Sequence, residues 1–348
     1  MSKKIGLTLG KYAPFHKGHQ YVIETALNEM DEVIVVIYDA PENTSIPLTV
    51  RANWIRSLYP KAKVIEAWDG PTEVGNSKEI KRKHEEYIIK RLDIKKVTAF
   101  YSGEFYGEHM STALKAHNRQ VDPERSVFPV SSTKIRSNPF KYRKYISPIV
   151  YRDLITNVVF LGAPSTGKST IASQMAKEFD TVWMPEFGRE YWEKNQVNRR
   201  LSLEQLVEIA RKHLEIEEKK LFEANQFLFS DTNALTTYIF SKYYHGKASP
   251  ELIKYANEAV SRYDLVFLCD IDIPYEDTWD RSGDVNRSVF QKQIIADLNV
   301  RKVPYYVLKG TLAQRKRYIK KVLSKHVKYR NPFENFKQSG MQRQKWTY

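Results

Sequence analysis

Short apolar runs alternate with charged, helix-periodic stretches along this chain, and the alternation begins twice. The first series opens with a strand over Lys4–Leu9 and a helix over Gly18–Met30, where Tyr21, Val22, Ala26 and Leu27 recur at helical spacing. Strands follow at Glu32–Tyr38, Lys63–Ala67 and Val97–Tyr101, with charged helical segments such as Lys78–Leu92 between them. The run EVIVVIY is apolar almost throughout, as a parallel strand covered on both faces must be. The second series begins with a strand at Thr156–Leu161 and a helix at Lys168–Phe179, then a short strand at Thr181–Met184 and a long charged helix at Leu203–Asn225. Strands at Gln226–Asp231 and Leu265–Asp270 each end on a carboxylate, and Tyr305–Leu308 is the last. Such alternation implies two doubly wound α/β domains. At 348 residues the chain has room for about two. The Pro-, Tyr- and Lys-rich segment Ser137–Asp153 separates the series, so the expected division is residues 1–148, 149–330 and a basic tail, 331–348.

Composition narrows the class. Hydrophobic residues at 42% and charged residues at 28% exclude wholesale disorder. The single cysteine, Cys269, excludes both an intramolecular disulfide and a cysteine zinc cluster, and its place at the end of an apolar run reads as core filler. The uncharged stretch Leu154–Gly167 contains Asn157, Pro164 and two glycines, so it cannot span a bilayer, and Lys11 ends the first apolar stretch too early for a secretory leader. A cytoplasmic protein without membrane insertion is expected. The net charge of +15 points to anionic partners. Most of that excess lies between Lys309 and Tyr348, where 12 Lys and Arg face one acid, Glu334. A solvated terminal helix and tail explains this better than a nucleic-acid partner, which is not expected. Self-association is compatible with such a chain.

Gly10-Lys11-Tyr12-Ala13-Pro14-Phe15-His16-Lys17-Gly18-His19 follows the first strand, at the end where open α/β sheets bind ligands. His16 and His19, three apart at a helix start, can face one side, and the helix N-terminus adds free N–H groups. Gly10 admits close backbone approach and Lys11 adds a cation. Late in the same domain comes Ser131-Ser132-Thr133-Lys134-Ile135-Arg136, in which Ser132 or Thr133 can cap a helix and Arg136 can grip phosphate in bidentate fashion. Together these segments resemble the two signatures of the HxGH nucleotidyltransferases. The resemblance implies transfer of AMP from ATP to a phosphate, with His16, His19 and Arg136 stabilising the phosphates. Ser102-Gly103-Glu104 is a further candidate for an adenine or acceptor pocket, with a plain loop an equal reading, and the rings of Trp54 and Trp68 could stack on a base, though packing is the favoured reading for each.

Gly162-Ala163-Pro164-Ser165-Thr166-Gly167-Lys168-Ser169 is a complete phosphate-loop motif between a strand and a helix. Its amides, from Gly162 to Gly167, wrap the β-phosphate. Lys168 reaches the β and γ oxygens, and the Ser169 hydroxyl, with Thr170 beside it, faces Mg2+ and ATP. Pro185-Glu186-Phe187-Gly188-Arg189-Glu190-Tyr191 brings an acid near this loop. Asp231, closing its strand, is placed for Mg2+ or for the acceptor hydroxyl. Trp279–Arg287 carries Arg281 and Arg287 and suits a lid over the ATP phosphates.

A Rossmann-like HxGH nucleotidyltransferase domain followed by a P-loop kinase domain, with these particular loops, resembles the NadR-type bifunctional enzymes. That resemblance covers Lys4 to about Val327. It implies phosphorylation of ribosylnicotinamide to nicotinamide mononucleotide (NMN) and adenylylation of NMN to NAD, with ATP and Mg2+ serving both steps. Some relatives carry an N-terminal helix-turn-helix domain; the first strand here begins by Lys4, so repression of transcription is not implied. The turn Asp277–Arg281 also departs from the Asp-Gly-like form expected before a lid arginine. Two other readings compete. One is a fusion of pantetheine-phosphate adenylyltransferase with dephospho-coenzyme A kinase; the other is a nucleotide-sensing regulator that binds nucleic acid through its tail.

Overall fold

A computed structural model describes residues 3–73, 75–103, 107–198, 200–274 and 286–330. The chain divides into two compact units, one reaching Val150 and taking in the segment from Val327, the other Tyr151–His326.

The first unit runs β1 (Ile5–Gly10), α1 (Lys17–Glu29), β2 (Glu32–Tyr38), α2 (Leu48–Leu58), β3 (Lys63–Ala67) and α3 (Lys78–Glu86), which continues as a π turn, Tyr87–Arg91. It continues with β4 (Ala99–Ser102), α4 (Gly107–Ala113), β5 (His117–Gln120) and α5 (Ser132–Ser137). The five strands are parallel in the order β3-β2-β1-β4-β5. Chain connections run outward from β1 to β3 and then jump back to β4, so the order reverses between β1 and β4 and opens a crevice at their carboxyl ends. Leu7, Ile34, Val36 and Phe100 pack on one face with Tyr87, Ile88 and Met110.

After α6 (Pro148–Leu154), the second unit runs β6 (Thr156–Leu161), α7 (Lys168–Glu178), β7 (Trp183–Met184), α8 (Phe187–Asn195), α9 (Leu203–Glu223) and β8 (Phe227–Asp231). It ends with α10 (Ala234–His245), α11 (Pro250–Val260), β9 (Leu265–Cys269), α12 (Arg287–Val300), β10 (Tyr306–Leu308) and α13 (Leu312–Leu323). Its sheet has the parallel order β10-β9-β6-β8-β7, with β6 at the centre. Alternation along β6 sends Val158 and Phe160 to one core with Ile171, Met175 and Phe229, and Val159 and Leu161 to another with Ile239, Phe290 and Ile294. All six residues of β6 are buried, which explains the unbroken apolar run Val158–Leu161 that follows its two polar residues, Thr156 and Asn157.

Several elements differ from the sequence reading. β9 stops at Cys269, so Asp270 lies just past the strand, and the helix predicted over Lys78–Leu92 changes to π geometry at Tyr87. β5 was not predicted, because HNRQ offers no apolar residue. Trp54 is buried in the first unit's core and Trp68 is exposed. Cys269 is fully buried, and burial pushes its thiol up to about 12, as suits filler. Among the described residues no helix is long and apolar enough to cross a membrane.

A fully buried cation sits at the carboxyl ends of β1 and β2. From α2, the Arg51 guanidinium donates to the carbonyls of Lys11, Tyr38 (3.0 Å) and Ile46 (3.1 Å) and pairs with Asp39 at 3.2 Å. Replacing it leaves three carbonyls and a carboxylate without their donor. Arg51→Met is expected to destabilise the first unit by about 3 kcal/mol in urea titration, leaving the second unit's transition in place; an unchanged first transition would contradict this role.

Candidate active sites

The segment after β1 turns through Tyr12, whose φ of 48° lies in the left-handed region, and delivers His16 to the N-cap of α1. His16 and His19 then stack, ring centroids 3.7 Å apart and planes 20° from parallel. Tyr12 meets the His19 ring edge-on at 5.0 Å and Phe15 lies parallel to it at 5.9 Å, so aromatic walls fix the pair. The His16 amide donates to Nδ1 of His19 at 3.4 Å, which leaves Nε2 of a neutral His19 as the N–H donor. His16 Nδ1 is buried and has no hydrogen-bond partner. Burial, reinforced by Arg125, lowers His16 to about 4; burial, His16 and Arg125 hold His19 well below the usual imidazole range. Both rings are therefore neutral at pH 7, polar donors rather than fixed cations.

They line a cavity of about 270 Å³ with Gly10, Lys11, Ser102, Gly103, Arg125, Ser132, Thr133 and Arg136. An added Cβ at Gly10 would press on the Tyr12 ring at 3.2 Å. Lys11 lines the cavity while ion-paired with Glu42. Neither Ser132 nor Thr133 caps α5: the cap is Ser131, whose hydroxyl accepts from the Lys134 amide at 3.2 Å, because α5 starts one residue earlier than a Ser132 cap requires. Ser132 instead donates to the Pro14 carbonyl at 3.2 Å. Arg136 donates to the Ala13 carbonyl at 2.6 Å and to the Thr133 hydroxyl at 3.2 Å, tying the two sequence motifs together. Two contributors escaped the sequence reading. Asp122 gathers the amides of Ser126, Val127 and Phe128, and this turn carries Arg125 into the cavity.

In the second unit the loop after β6 needs its glycines. Gly162 has φ +144°, and a Cβ there would lie 2.7 Å from the Cys269 carbonyl; Gly167 caps α7 with φ +80°. Lys168 folds back over the loop to donate to the Ala163 carbonyl at 3.0 Å. The loop is clamped from outside by two residues the sequence did not advertise, Gln291 and Arg315, and by Arg287, which was expected over the ATP phosphates and instead holds loop carbonyls. Gln291 on α12 accepts from the Ala163 amide at 2.8 Å and donates to the Cys269 carbonyl at 3.1 Å. Buried Arg315 on α13 donates to the carbonyls of Thr166 (2.7 Å), Gly310 (3.1 Å) and Asp270 (3.3 Å) and pairs with Asp272. Arg287 donates to the Ser165 and Ile273 carbonyls at 2.9 and 2.8 Å. Arg281, the rest of the expected lid to Val285, Glu104 and the tail from 331 lie outside the described residues.

Two cavities flank this loop. One is lined by Ser165 to Thr170, with Arg189, Ile273 and Pro274. The other is bounded by Lys168, Glu186, Arg189, Trp192, His213, Thr232, Phe240 and Tyr244, so Arg189 and Lys168 border both. Asp231, at the end of β8, is fully buried and neither oxygen has a hydrogen bond of good geometry. Burial and the nearby Glu186 raise it to about 6, while Lys168 and the Ser169 hydroxyl favour its ionised form. Glu186 occupies the N-cap of α8, but its side chain caps nothing and instead faces Arg189 at 3.7 Å.

Comparison with known proteins bears on both units. Residues 7–138 match a family model described as cytidylyltransferase-like, and residues 157–315 match one described as an AAA domain. The "trifunctional NAD biosynthesis/regulator protein NadR" of Salmonella typhimurium is 26% identical over 326 residues, 88% of this chain and 79% of that protein. The protein of the same name from Escherichia coli is 26% identical over 322 residues, 87% and 78% of the two chains. The chain is thus similar to NadR proteins over both of its units. A solved NadR protein in complex with NAD and AMP-PNP matches this fold with a TM-score of 0.55 at 20% identity, covering 100% of this chain and 99% of that one. Another, in complex with NR, gives 0.56 at 22% identity over 93% and 96%. Both domains of this chain are thus α/β units of the expected kinds, Rossmann-like and P-loop.

The neutral imidazoles carry a pH signature. The folded site refuses protons that the unfolded chain accepts below about pH 6.5, so stability from these groups is full above that value and falls as the pH drops toward His16's own titration near 4. In NMR titration the His16 C2–H resonance, assigned by its loss in His16→Gln, is expected to stay flat from pH 8 to 5 and to move near 4. A midpoint near 6.5 would show an unburied, unstacked ring.

Proposed function

We propose that this NadR-type chain makes NAD in two ATP-dependent steps, residues 149–330 phosphorylating ribosylnicotinamide to NMN and residues 1–148 transferring AMP from ATP to NMN. The observation that carries the proposal is the pair of separate phosphate loops, each at the carboxyl end of its sheet's central strand and each furnished with different chemistry.

In the kinase step the acceptor hydroxyl oxygen attacks the γ-phosphorus of ATP, the bond to the β,γ-bridging oxygen breaks, and ADP leaves. Asp231, raised to about 6 in its buried setting, accepts the hydroxyl proton, and Lys168 and Arg189 face the moving charge from the border of the two cavities. The unsatisfied carboxylate of Asp231 beside the Ser169 hydroxyl suits Mg2+, which when bound neutralises charge on the β- and γ-phosphates. Glu186 holds Arg189 in place. Trp192, Phe240 and Tyr244 offer aromatic surface to a positively charged pyridine ring. Of the remaining residues, Gly162, Gly167 and Thr170 belong to the ATP cradle, and Arg281 and Arg287 to the lid region.

In the transferase step a phosphate oxygen of NMN attacks the α-phosphorus and pyrophosphate leaves, so no proton need move. Positioning and charge stabilisation suffice. His16 and His19 supply neutral N–H donors and Arg136 the cation, with Gly10, Lys11, Ser132 and Thr133 around the triphosphate. Such an enzyme of soluble metabolites suits the cytoplasm. The phosphopantetheine adenylyltransferase of Bacteroides thetaiotaomicron is 42% identical to this chain, but over only 60 residues, 16% of this chain and 40% of that protein, which gives the coenzyme A reading far less support.

Lys168→Ala is expected to abolish phosphorylation of ribosylnicotinamide, at least about a hundredfold, while sparing NAD formation from NMN; His19→Ala is expected to do the reverse. Product analysis by mass spectrometry reads both reactions, and loss of both activities in either folded variant would refute the two-site assignment.

A further inference from the structure

The helix α9 forms one wall of the second unit's acceptor cavity, and its contributions change along its length. Leu206 and Ile209 come first and pack with Trp192, Tyr191 and Phe187 in an apolar cluster. His213 follows one turn later and also lines the cavity. One further turn on, Glu217 accepts from the Ser230 hydroxyl at 2.6 Å and pairs with Arg262. Ser230 immediately precedes Asp231, so α9 runs from the apolar, aromatic part of the cavity toward the carboxylate where phosphoryl transfer is proposed.

His213 stands out within this wall. It is only 6% exposed, and its Nε2 is buried with no hydrogen-bond partner. A buried imidazole nitrogen with no partner is costly unless something completes it. Its neighbours do not offer a bond: Glu217 is engaged by Ser230 and Arg262, and Glu186 faces Arg189. Burial also keeps the ring neutral despite those two acids. A neutral imidazole suits an uncharged hydroxyl, which can give or take a hydrogen bond, better than it suits a phosphate.

Position selects which part of an acceptor it meets. With a nucleoside's reacting hydroxymethyl at Asp231 and its base against Trp192, Phe240 and Tyr244, the sugar lies between. Four residues separate Ile209 from His213, about 6 Å along a helix, which is the scale of a ribose ring. We propose that Nε2 of His213 hydrogen-bonds a secondary ribose hydroxyl of the acceptor, making the second unit selective for ribonucleosides over their deoxy counterparts. The proposal rests on the kinase reading above and adds the residue that reads the sugar.

The test compares wild type, His213→Ala and His213→Asn on ribosylnicotinamide and its 2′-deoxy and 3′-deoxy analogues, with steady-state kinetics for each. Wild type is expected to prefer the ribonucleoside over one of the two analogues by roughly tenfold or more in kcat/KM. In His213→Ala that preference collapses to about twofold or less, through a raised KM for the ribonucleoside and with the KM for ATP unchanged. His213→Asn, which retains hydrogen-bonding groups, restores part of the preference, and NAD formation from NMN stays at the wild-type rate in both variants. Undiminished ribo-to-deoxy ratios for both analogues in a folded His213→Ala would overturn the proposal, since a merely structural histidine would lower activity on all three substrates alike. Should wild type not phosphorylate ribosylnicotinamide, the proposed function fails; the same ratios measured on cytidine, uridine and adenosine with their deoxy forms then decide the role of His213.

Discussion

Each phosphate loop in this chain is held from behind by a buried guanidinium that donates to backbone carbonyls. In the first unit Arg51 bonds the Lys11 carbonyl just past β1 and the Tyr38 carbonyl at the end of β2. In the second, Arg315 bonds the Thr166 carbonyl inside the loop and the Asp270 carbonyl just past β9. A loop that offers its amides to an anion must place its carbonyls elsewhere, and a fork of N–H donors in a dry site satisfies several at once. An ammonium could not meet that geometry, and water in its place would leave the loops free to relax. The whole case for phosphate chemistry depends on these loops keeping their shape before a nucleotide arrives.

On that shared support the two sites diverge. Stacked neutral imidazoles in the first give directional hydrogen bonds with little net charge, which suits gripping an α-phosphate that must remain open to attack by another phosphate. A second phosphate approaching a pair of fixed anions is a problem of repulsion, and Arg136 and Arg125 at the cavity wall offset it. The second site, on the proposed reading, takes a neutral hydroxyl nucleophile; there a carboxylate, Asp231, lies near Lys168, and the adjoining cavity is walled by aromatic and apolar side chains. The chemistry assigned to each unit thus follows from what approaches the phosphorus.

The sequence carried the motifs and the alternation of elements because both are local. His16 and His19 lie on one helical turn, and Gly162 to Ser169 is a single contiguous loop, so chain geometry alone brings those groups together. What supports and completes the sites was hidden for the opposite reason. Arg51, Gln291, Arg315 and His213 sit on helices whose periodicity marks them as inward-facing, but a pattern of burial does not say which carbonyl or cavity they reach. The polar strand His117–Gln120 was invisible because it owes its existence to the free edge of β4 rather than to its own residues. Capping slipped by one residue at Ser131, since three consecutive hydroxyl residues look alike until the helix register is known.

The central claim, that one chain breaks ATP at two different phosphorus atoms in succession, is open to a direct test by isotope position. Purified protein is given unlabelled ribosylnicotinamide with ATP carrying 32P at either the α or the γ position, and the NAD formed is isolated. NAD labelled from both pools, the γ label on the nicotinamide side and the α label on the adenosine side, is the predicted result. NAD labelled from the α pool alone, or no NAD without added NMN, would contradict it.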